Sequence, residues 1–552
     1  MGHVTAGRSS AAGERIDSEE RFLLPRPKTD FSSNGNSESP AIGRTTRLSF
    51  VSNSVPVESS KHCVQVLKFG GTSMNGATCI RNVASIVERT AREARIAVVV
   101  SAMSGVTDQL LRLASAAQAR NRRHVTEILN ELRFKHVDAL ADLVHSSYVR
   151  MAVARKLYDV LGVCDQVCED VMFAGKLSPR ERDLIGGIGE RLSAPLLAGA
   201  LADRGVPTES IEATELIVTN ANFGEAEPAM AETRAQCAAR LLPLIENGVV
   251  PVITGFIGAT PDGIPTTLGR NGSDYSATII TAGIDGDEVV IWTDVDGFMT
   301  ADPNVVLGAR VIPELSYDDA SELALFGAKV LHPKTLLAIK QTGLPLWIRK
   351  TFAPDGPGTK ITPEGPHVKA GVRALASAKQ VALVAIQGER IASNDELLDR
   401  AIDDVTRLRS DVVLTTGPLS QNEFGLVVSA SSADEIVTRL VSYLGPELQN
   451  GTIQKIDHRA DVGLVSAVGS RLNVVVGRAR DALRNTGAEV ILESCSENSS
   501  RVSFLVLAEN LMDSVVALHR ALVTNEEHRL HRGERASTIR CTGIEAYGTG
   551  TV

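Results

Sequence analysis

The stretch Val64-Gln-Val-Leu-Lys-Phe-Gly-Gly-Thr-Ser73 decides the fold. Its first half reads as a strand buried on both faces, and a Gly-Gly turn follows at once. Helix-forming residues then run to about Ala94. Strand, glycine turn and helix in that order form the repeating unit of a parallel α/β sheet. Further strands are expected at Ile96-Ala-Val-Val-Val100, Val249 to Thr254, Val289 to Thr293 and Pro345 to Arg349, with helical stretches between them. The fold class is therefore α/β, a mostly parallel sheet flanked by helices. Residues 127–177 read as almost purely helical and could be an excursion covering a cleft.

Beyond residue 370 the units shrink. A strand at Val381 to Ile386, a helix from about Asn394 and strands near Val412 and Leu426 make one set. Val462 to Val468, a helix from about Val474 and strands near Val490 and Val502 make a second. This is the pattern of a tandem βαββ-type repeat, with Gly356-Pro357-Gly358 and Gly365-Pro366 marking a linker. Residues 1–62 are rich in Ser, Gly, Pro, Arg and Glu and lack the apolar residues a core needs, so disorder is expected there. They contain no apolar signal-peptide core, and the early acids Glu14, Asp17, Glu19 and Glu20 are unlike a transit peptide. A cytoplasmic protein is expected.

Composition narrows the function classes. The chain has 552 residues, enough for several folding units, and 43% of them are hydrophobic against 22% charged, the balance of a globular protein. A net charge of -9 and 4% aromatic residues argue against nucleic acid and against an anionic membrane as partner. The seven cysteines are scattered, with no C-x-x-C pair, which suits reduced thiols. Cys164 and Cys168, at i, i+4, lack nearby His or further Cys and read as core residues; no metal site is claimed.

Six clusters could carry chemistry. In Lys68-Phe69-Gly70-Gly71 the adjacent glycines let backbone N–H groups close on an anion that Lys68 also reaches, although a structural tight turn explains the same residues. The lysine precedes the glycines, so this is not a Walker A loop. In Leu268-Gly269-Arg270-Asn271-Gly272-Ser273-Asp274 the arginine offers a bidentate fork for a carboxylate, and Asp274 a carboxylate for Mg²⁺ or an ammonium; an exposed Arg–Asp turn is the bland alternative. Trp292-Thr293-Asp294-Val295-Asp296-Gly297 is a strand end of the kind where α/β folds bind nucleotides, and its spacing fails the calcium-loop pattern. Phe326-Gly327-Ala328-Lys329-Val330 supplies a lysine for a phosphate or base, while His332 reads as a packed or capping residue. Gly189-Glu190-Arg191 and Ser101 to Thr107 each add polar groups at a turn.

Taken in order, these six clusters resemble those of aspartate kinases, within the amino-acid kinase superfamily. The resemblance runs from about Val64 to the C-terminus. Carbamate, glutamate, acetylglutamate and uridylate kinases share the lysine and glycine turn but not the full set. The resemblance implies an amino-acid kinase fold in residues 63–370, followed by two ferredoxin-like ACT domains at 371–457 and 458–540, whose strands can interleave, and a tail at 541–552. It implies Lys68 and Asp274 as the catalytic pair and Thr107, Glu190 and Arg270 as aspartate-binding residues. Phe69, Gly70, Gly71, Thr293, Asp294, Met299, Asn304, Lys329 and Val330 are implied at ATP. Met299 and Asn304 stand where the family often has Tyr and Arg. Ser496, Glu497 and Asn498 resemble an effector loop, and its counterpart in the first unit, Thr415 to Glu423, is altered and longer.

The implied activity is transfer of the ATP γ-phosphate to the β-carboxylate of L-aspartate. ATP would come with Mg²⁺, lysine or threonine would act as effector, and the assembly would be a homodimer or larger. The reading competes with another amino-acid kinase and with a catalytically dead amino-acid sensor.

Overall fold

A computed structural model describes residues 48–50, 63–326, 330–331, 333–366, 371–407, 415–495 and 500–524. The first of these is itself a departure from expectation. Leu48–Phe50 (β1) lies inside the segment expected to be disordered, yet it pairs antiparallel with Thr208–Ile211 (β4). The open backbone edge of β4 supplies what the composition of the tail could not foretell. The other residues of 1–62 lie outside the described residues.

Val64–Phe69 (β2) and Arg95–Val100 (β3) pair in parallel and form the centre of the larger sheet. On one side of β3 follow Val250–Thr254 (β5) and then β4; on the other side of β2 follow Glu288–Thr293 (β8) and Leu346–Lys350 (β10), all of these neighbours parallel. Glu314–Ser316 (β9) and Thr359–Thr362 (β11) finish that edge, where β11 runs antiparallel to β10. A small ribbon, Ile257–Ala259 (β6) with Pro265–Thr267 (β7), stands apart. The strands expected for this sheet are all present, within a residue of their expected bounds, whereas Val412, near which a later strand was expected, lies outside the described residues.

Alternation along β2 and β3 builds two cores. Leu67, Phe69, Val98 and Val100 face a layer formed by Gly76–Glu93 (α1), Val106–Gln118 (α2), Arg122–Leu143 (α3), Ser147–Ala174 (α4), Pro179–Gly186 (α5) and Ile188–Asp203 (α6). Val66, Ala97 and Val99 face the opposite layer of Met230–Glu246 (α7), Gly272–Gly283 (α8), Tyr317–Leu325 (α9) and Pro333–Thr342 (α10). The helical stretch 127–177 is no loose excursion. Val125, Ile128 and Leu132 of α3 and Val153 and Leu157 of α4 belong to the first core, because their 3.6-residue spacing presents one apolar face to α2 and α6. Cys164 and Cys168 are buried in that core as free thiols.

The C-terminal sheet has the order β13-β14-β12-β15-β17-β16. Its two central strands are long: Gly371–Gln387 (β12) and Lys455–Ser470 (β15). Thr415–Ser420 (β13) and Glu423–Ser429 (β14) lie on one side, Val490–Cys495 (β16) and Arg501–Leu507 (β17) on the other. The register shifts between Ala378 and Val381. On one side of that break, Ala382, Val384, Ile386 and Ile456 pack with Asp395–Arg407 (α11) and Ala433–Tyr443 (α12), which the short Gly445–Gln449 (α13) follows. On the other side, Val372, Leu375, Val465 and Ala467 pack with Val476–Arg484 (α14) and Leu511–His519 (α15). Each long strand thus serves both cores, and the division at 457/458 falls inside β15. Helices α12 and α15 follow the last strand of each set and were not separated out by the repeat pattern. Among the described residues no helix is long and apolar enough to cross a membrane.

The two sheets are joined through the segment between β8 and β9. Ala301 and Val306 sit in the core built around α14 and α15, and the Leu375 N–H donates to the Thr300 carbonyl at 2.9 Å. The Thr300 hydroxyl lies 3.0 Å from Nε2 of buried His519. Arg373 reaches Asp319 at 2.7 Å and Arg501 reaches Glu322 at 3.0 Å, so two arginines of the C-terminal sheet grip α9.

Candidate active site

After the edge strand β1 the chain takes β2 at the centre of the large sheet, then β3 on one side of it and later β8 on the other, and such a switch point opens a crevice at the carboxyl ends of the strands. Lys68 closes β2 there. Three backbone bonds hold the strand ends together: Gly70 N–H to Trp292 O at 3.2 Å, Ser101 N–H to Phe69 O at 3.0 Å, and Ser104 N–H to Gly71 O at 3.1 Å. Space is tight at the second glycine and ordinary at the first. A Cβ on Gly71 would stand 3.1 Å from the Ala102 carbonyl oxygen, and one on Gly70 would stand 3.5 Å from Lys68 Nζ. The lysine ammonium therefore lies over the glycine turn. Phe69 turns away, fully buried and stacked on Trp292 at 6.0 Å, so only its backbone faces the crevice.

Lys68 Nζ meets Asp274 Oδ1 at 2.5 Å, both side chains buried. Asp274 sits in the first turn of α8, whose start is shaped by Asn271 in the left-handed region (φ 51°). Ser276 anchors that turn by accepting from Phe256 N–H and donating to the Gly272 carbonyl, each at 2.9 Å. A carboxylate in a helix's first turn is favoured by the helix dipole.

Glu190 enters from α6. Gly189 before it lets the helix press against the loop after β3, since a Cβ there would sit 2.5 Å from Ala102 Cβ. Glu190 is 4% exposed, and its Oε2 has no hydrogen-bond partner among the described residues. Burial pushes its pKa up to about 8, against the lowering effects of the Ala102 and Glu190 backbone N–H groups and of nearby Lys68. One oxygen of this buried carboxyl is therefore left without a protein partner among the described residues, close to the Lys68 ammonium. Its neighbour Arg191 points elsewhere, 3.0 Å from Glu212, which also lies 3.3 Å from Lys156.

The remaining expected residues stand on several other elements. Thr107 is exposed at the start of α2, and Arg270 is exposed on the loop that leads into α8. Thr293 and Asp294 end β8 beside Lys68's strand, with the Thr293 hydroxyl donating to the Asp294 carboxylate at 3.2 Å. Met299 pairs with Val311 as an isolated bridge, Asn304 turns back to donate to Asp302 Oδ1 from its N–H at 2.9 Å and from its side-chain amide at 3.0 Å, and Val330 is half-buried. Lys329, His332, Ser496, Glu497 and Asn498 lie outside the described residues.

Asp183 of α5 escaped the sequence reading. It is 3% exposed and accepts from Thr267 N–H (2.8 Å), Thr267 Oγ1 (2.9 Å) and Gly224 N–H (2.9 Å). A capping box at Ser178 and Glu181 marks the start of α5. Nothing in the local sequence says where an aspartate in the next turn points.

Comparison with known proteins meets this geometry from outside. Residues 64–350, more than half of the chain, match the model of the Amino acid kinase family. The chain belongs to that family. Among curated relatives of this amino acid kinase, the maize bifunctional aspartokinase/homoserine dehydrogenase 1 is 30% identical over 471 residues, 82% of this chain and 50% of the relative. The chain spans about half the length of such bifunctional relatives. Lysine-sensitive aspartokinase 3 of Escherichia coli is 28% identical over 464 residues, covering 83% of this chain and 99% of the relative. The solved structure of E. coli aspartokinase III in complex with aspartate and ADP matches with a TM-score of 0.68 at 28% identity, over 83% of this chain and 99% of that one. An aspartate kinase of Clostridium acetobutylicum, 20% identical with a TM-score of 0.64, shares the fold. The match to whole aspartokinase chains extends the likeness through the C-terminal sheet, as the expected kinase fold with ACT-containing C-terminal units requires.

Proposed function

We propose that this chain is an ATP:L-aspartate 4-phosphotransferase, with residues 63–370 as the catalytic unit and the C-terminal sheet as a pair of regulatory ACT-like units. The observation that carries the reading is the Lys68–Asp274 pair over the glycine turn with the free Glu190 oxygen beside it. The aspartokinase names of the relatives, and the aspartate and ADP of the matched structure, point the same way.

In this reading Glu190 holds the substrate ammonium, Arg270 takes the α-carboxylate with its planar fork, and Thr107 lies alongside. The β-carboxylate is ionised at neutral pH, so the attacking oxygen needs no general base. Catalysis is then a matter of bringing two anions together and offsetting the charge of the transferred phosphoryl group. Lys68 and the amides of Gly70 and Gly71 supply that offset, while Asp274 holds the lysine in place. Thr293, Asp294, Met299, Asn304, Lys329 and Val330 line the nucleotide side.

Mg²⁺ fits as part of the nucleotide. No group of three His, Cys, Asp or Glu among the described residues could hold a metal ion, and Mg²⁺ commonly rides on phosphates with one or two carboxylates and water. Held with ATP near Lys68, Asp274 and the Gly70–Gly71 turn, it would supply positive charge that offsets that of the phosphates. Lysine, threonine or both would act through Ser496, Glu497 and Asn498, and a homodimer would cover open edges of the small sheet. A cytoplasmic setting goes with the reduced thiols.

The test is ATP-dependent hydroxamate formation. Product with aspartate and none with glutamate or acetylglutamate supports the reading; product with another acid redirects it; none with any acid refutes it.

A further inference from the structure

The ammonium-binding and carboxylate-binding sides of the proposed substrate site come from distant parts of the chain, Glu190 on α6 and Arg270 after β7. Their separation decides whether an α-amino acid fits. A buried carboxylate helps to connect them. Asp183 on α5 takes the N–H and hydroxyl of Thr267, three residues before Arg270, and the N–H of Gly224. Gly269, with φ 81°, packs against the same second loop: a Cβ there would lie 3.2 Å from the Gly224 carbonyl oxygen. The loops around 224 and 269 are thus held together by this carboxylate and by the Ala226 N–H, which donates to the Thr267 carbonyl at 2.9 Å.

That carboxylate and Glu190 ride on a nearly continuous helical unit. α5 ends at Gly186, α6 begins at Ile188, and the Gly187 N–H still donates back to the Asp183 carbonyl at 3.0 Å. Gly187 itself is pinned, since a Cβ there would stand 2.6 Å from Ile257 of the β6–β7 ribbon. The unit therefore meets the ribbon at two points, through Ile257 and through Thr267. A carboxylate whose two oxygens receive three donors in a buried place cannot be replaced without leaving donors unmatched.

We propose that Asp183 is a positioning residue that fixes the spacing between Arg270 and Glu190, and so sets selectivity for a substrate carrying both an α-ammonium and an α-carboxylate. It touches no reacting atom. This rests on the aspartate kinase reading, and it goes further by locating the selectivity in a residue outside the crevice.

The experiment is steady-state kinetics of the full chain and of Asp183→Asn, with aspartate and with two analogues, one lacking the amino group (succinate) and one amidated at the α-carboxylate. Asn keeps the shape but aims an NH₂ at donors. Aspartate KM is expected to rise by roughly ten- to a hundredfold with ATP KM within about twofold, and the preference for aspartate over the analogues to shrink. Thr267→Val, which removes one of the three donors, is expected to move aspartate KM in the same direction by less. If the parent phosphorylates no aspartate, the functional reading itself fails. If the parent is active and Asp183→Asn changes both KM values equally, or leaves analogue preference unaltered, the positioning role is refuted. Should Asp183→Asn not fold, Thr267→Val decides by the same KM split.

Discussion

Glu190→Gln is the substitution whose outcome the geometry sets most tightly. The parent carboxyl has its pKa raised to about 8 from an ordinary 4.5, chiefly because burial penalises its charge. A carboxyl raised in the folded state binds more protons there than in the unfolded chain, so stability falls as pH climbs through the interval between the two values. The interval is 8 − 4.5 = 3.5 units, and at about 1.36 kcal/mol per unit the group costs the free enzyme at most about 5 kcal/mol above pH 8, and about 2 kcal/mol at pH 6. Gln has no proton to lose, so the variant escapes this cost. Urea unfolding of both proteins, followed from about pH 5 to about pH 9, is expected to show near-equal stability at the acid end and a growing advantage for the variant toward the alkaline end. Substrate reverses the preference. An ammonium docked on Glu190 favours the ionised form, so the parent's aspartate KM should fall as pH rises and level off above about 8, whereas the variant's KM should be high and flat. Parallel stability curves together with a pH-independent KM in the parent would refute both the buried state of Glu190 and its contact with the substrate ammonium.

Other outcomes follow from the same contacts. Lys68→Met should lower kcat on the order of a hundredfold or more with folding retained, measured by turnover and circular dichroism; near-normal turnover would remove Lys68 from the phosphoryl group. Arg270→Lys keeps the charge and loses the fork, so aspartate KM should rise far more than ATP KM, and equal effects would move Arg270 to the phosphates. Arg501→Met leaves Glu322 as a carboxyl without its guanidinium, which should cost about 3–5 kcal/mol by chemical unfolding, while the Arg501→Met/Glu322→Met pair should recover most of it; a double variant no better than the single would show that the two are not coupled.

What the sequence revealed and what it hid divide along physical lines. β2, β3 and β8 were legible because they are buried on both faces, so their apolar runs are continuous, and a glycine turn marks the end of β2 and an acid that of β8. Lys68 and Asp274 carried motif signals and the fold does bring them together, at 2.5 Å. Asp183 was missed because its role lies in accepting backbone N–H groups from Gly224 and Thr267, and any residue type can offer those. β1 was missed because Leu48–Phe50 finds its partner in β4, far along the chain. The small units were visible as a repeat, but a repeat pattern assigns each strand to one unit. The register shift near Ala378 to Val381, where β12 passes from one core to the other, has no counterpart in hydrophobic periodicity. Truncation from residue 378 onward would consequently cut β12 in the middle of a strand.

The two long strands also dictate an order of assembly as the chain emerges during synthesis. Val381–Gln387 finds its β14 partner, Glu423–Ser429, after only a few tens of residues, so that half of the small sheet can begin to close early. Gly371–Ala378, made first, pairs only with Leu464–Ser470, and those residues in turn wait for Arg501–Leu507. The half that is begun first is therefore finished last. Meanwhile Val372, Leu375 and the Ala301–Val306 segment of the kinase half stand without the core that later covers them, an apolar surface open to chaperones and to neighbouring chains until α15 arrives.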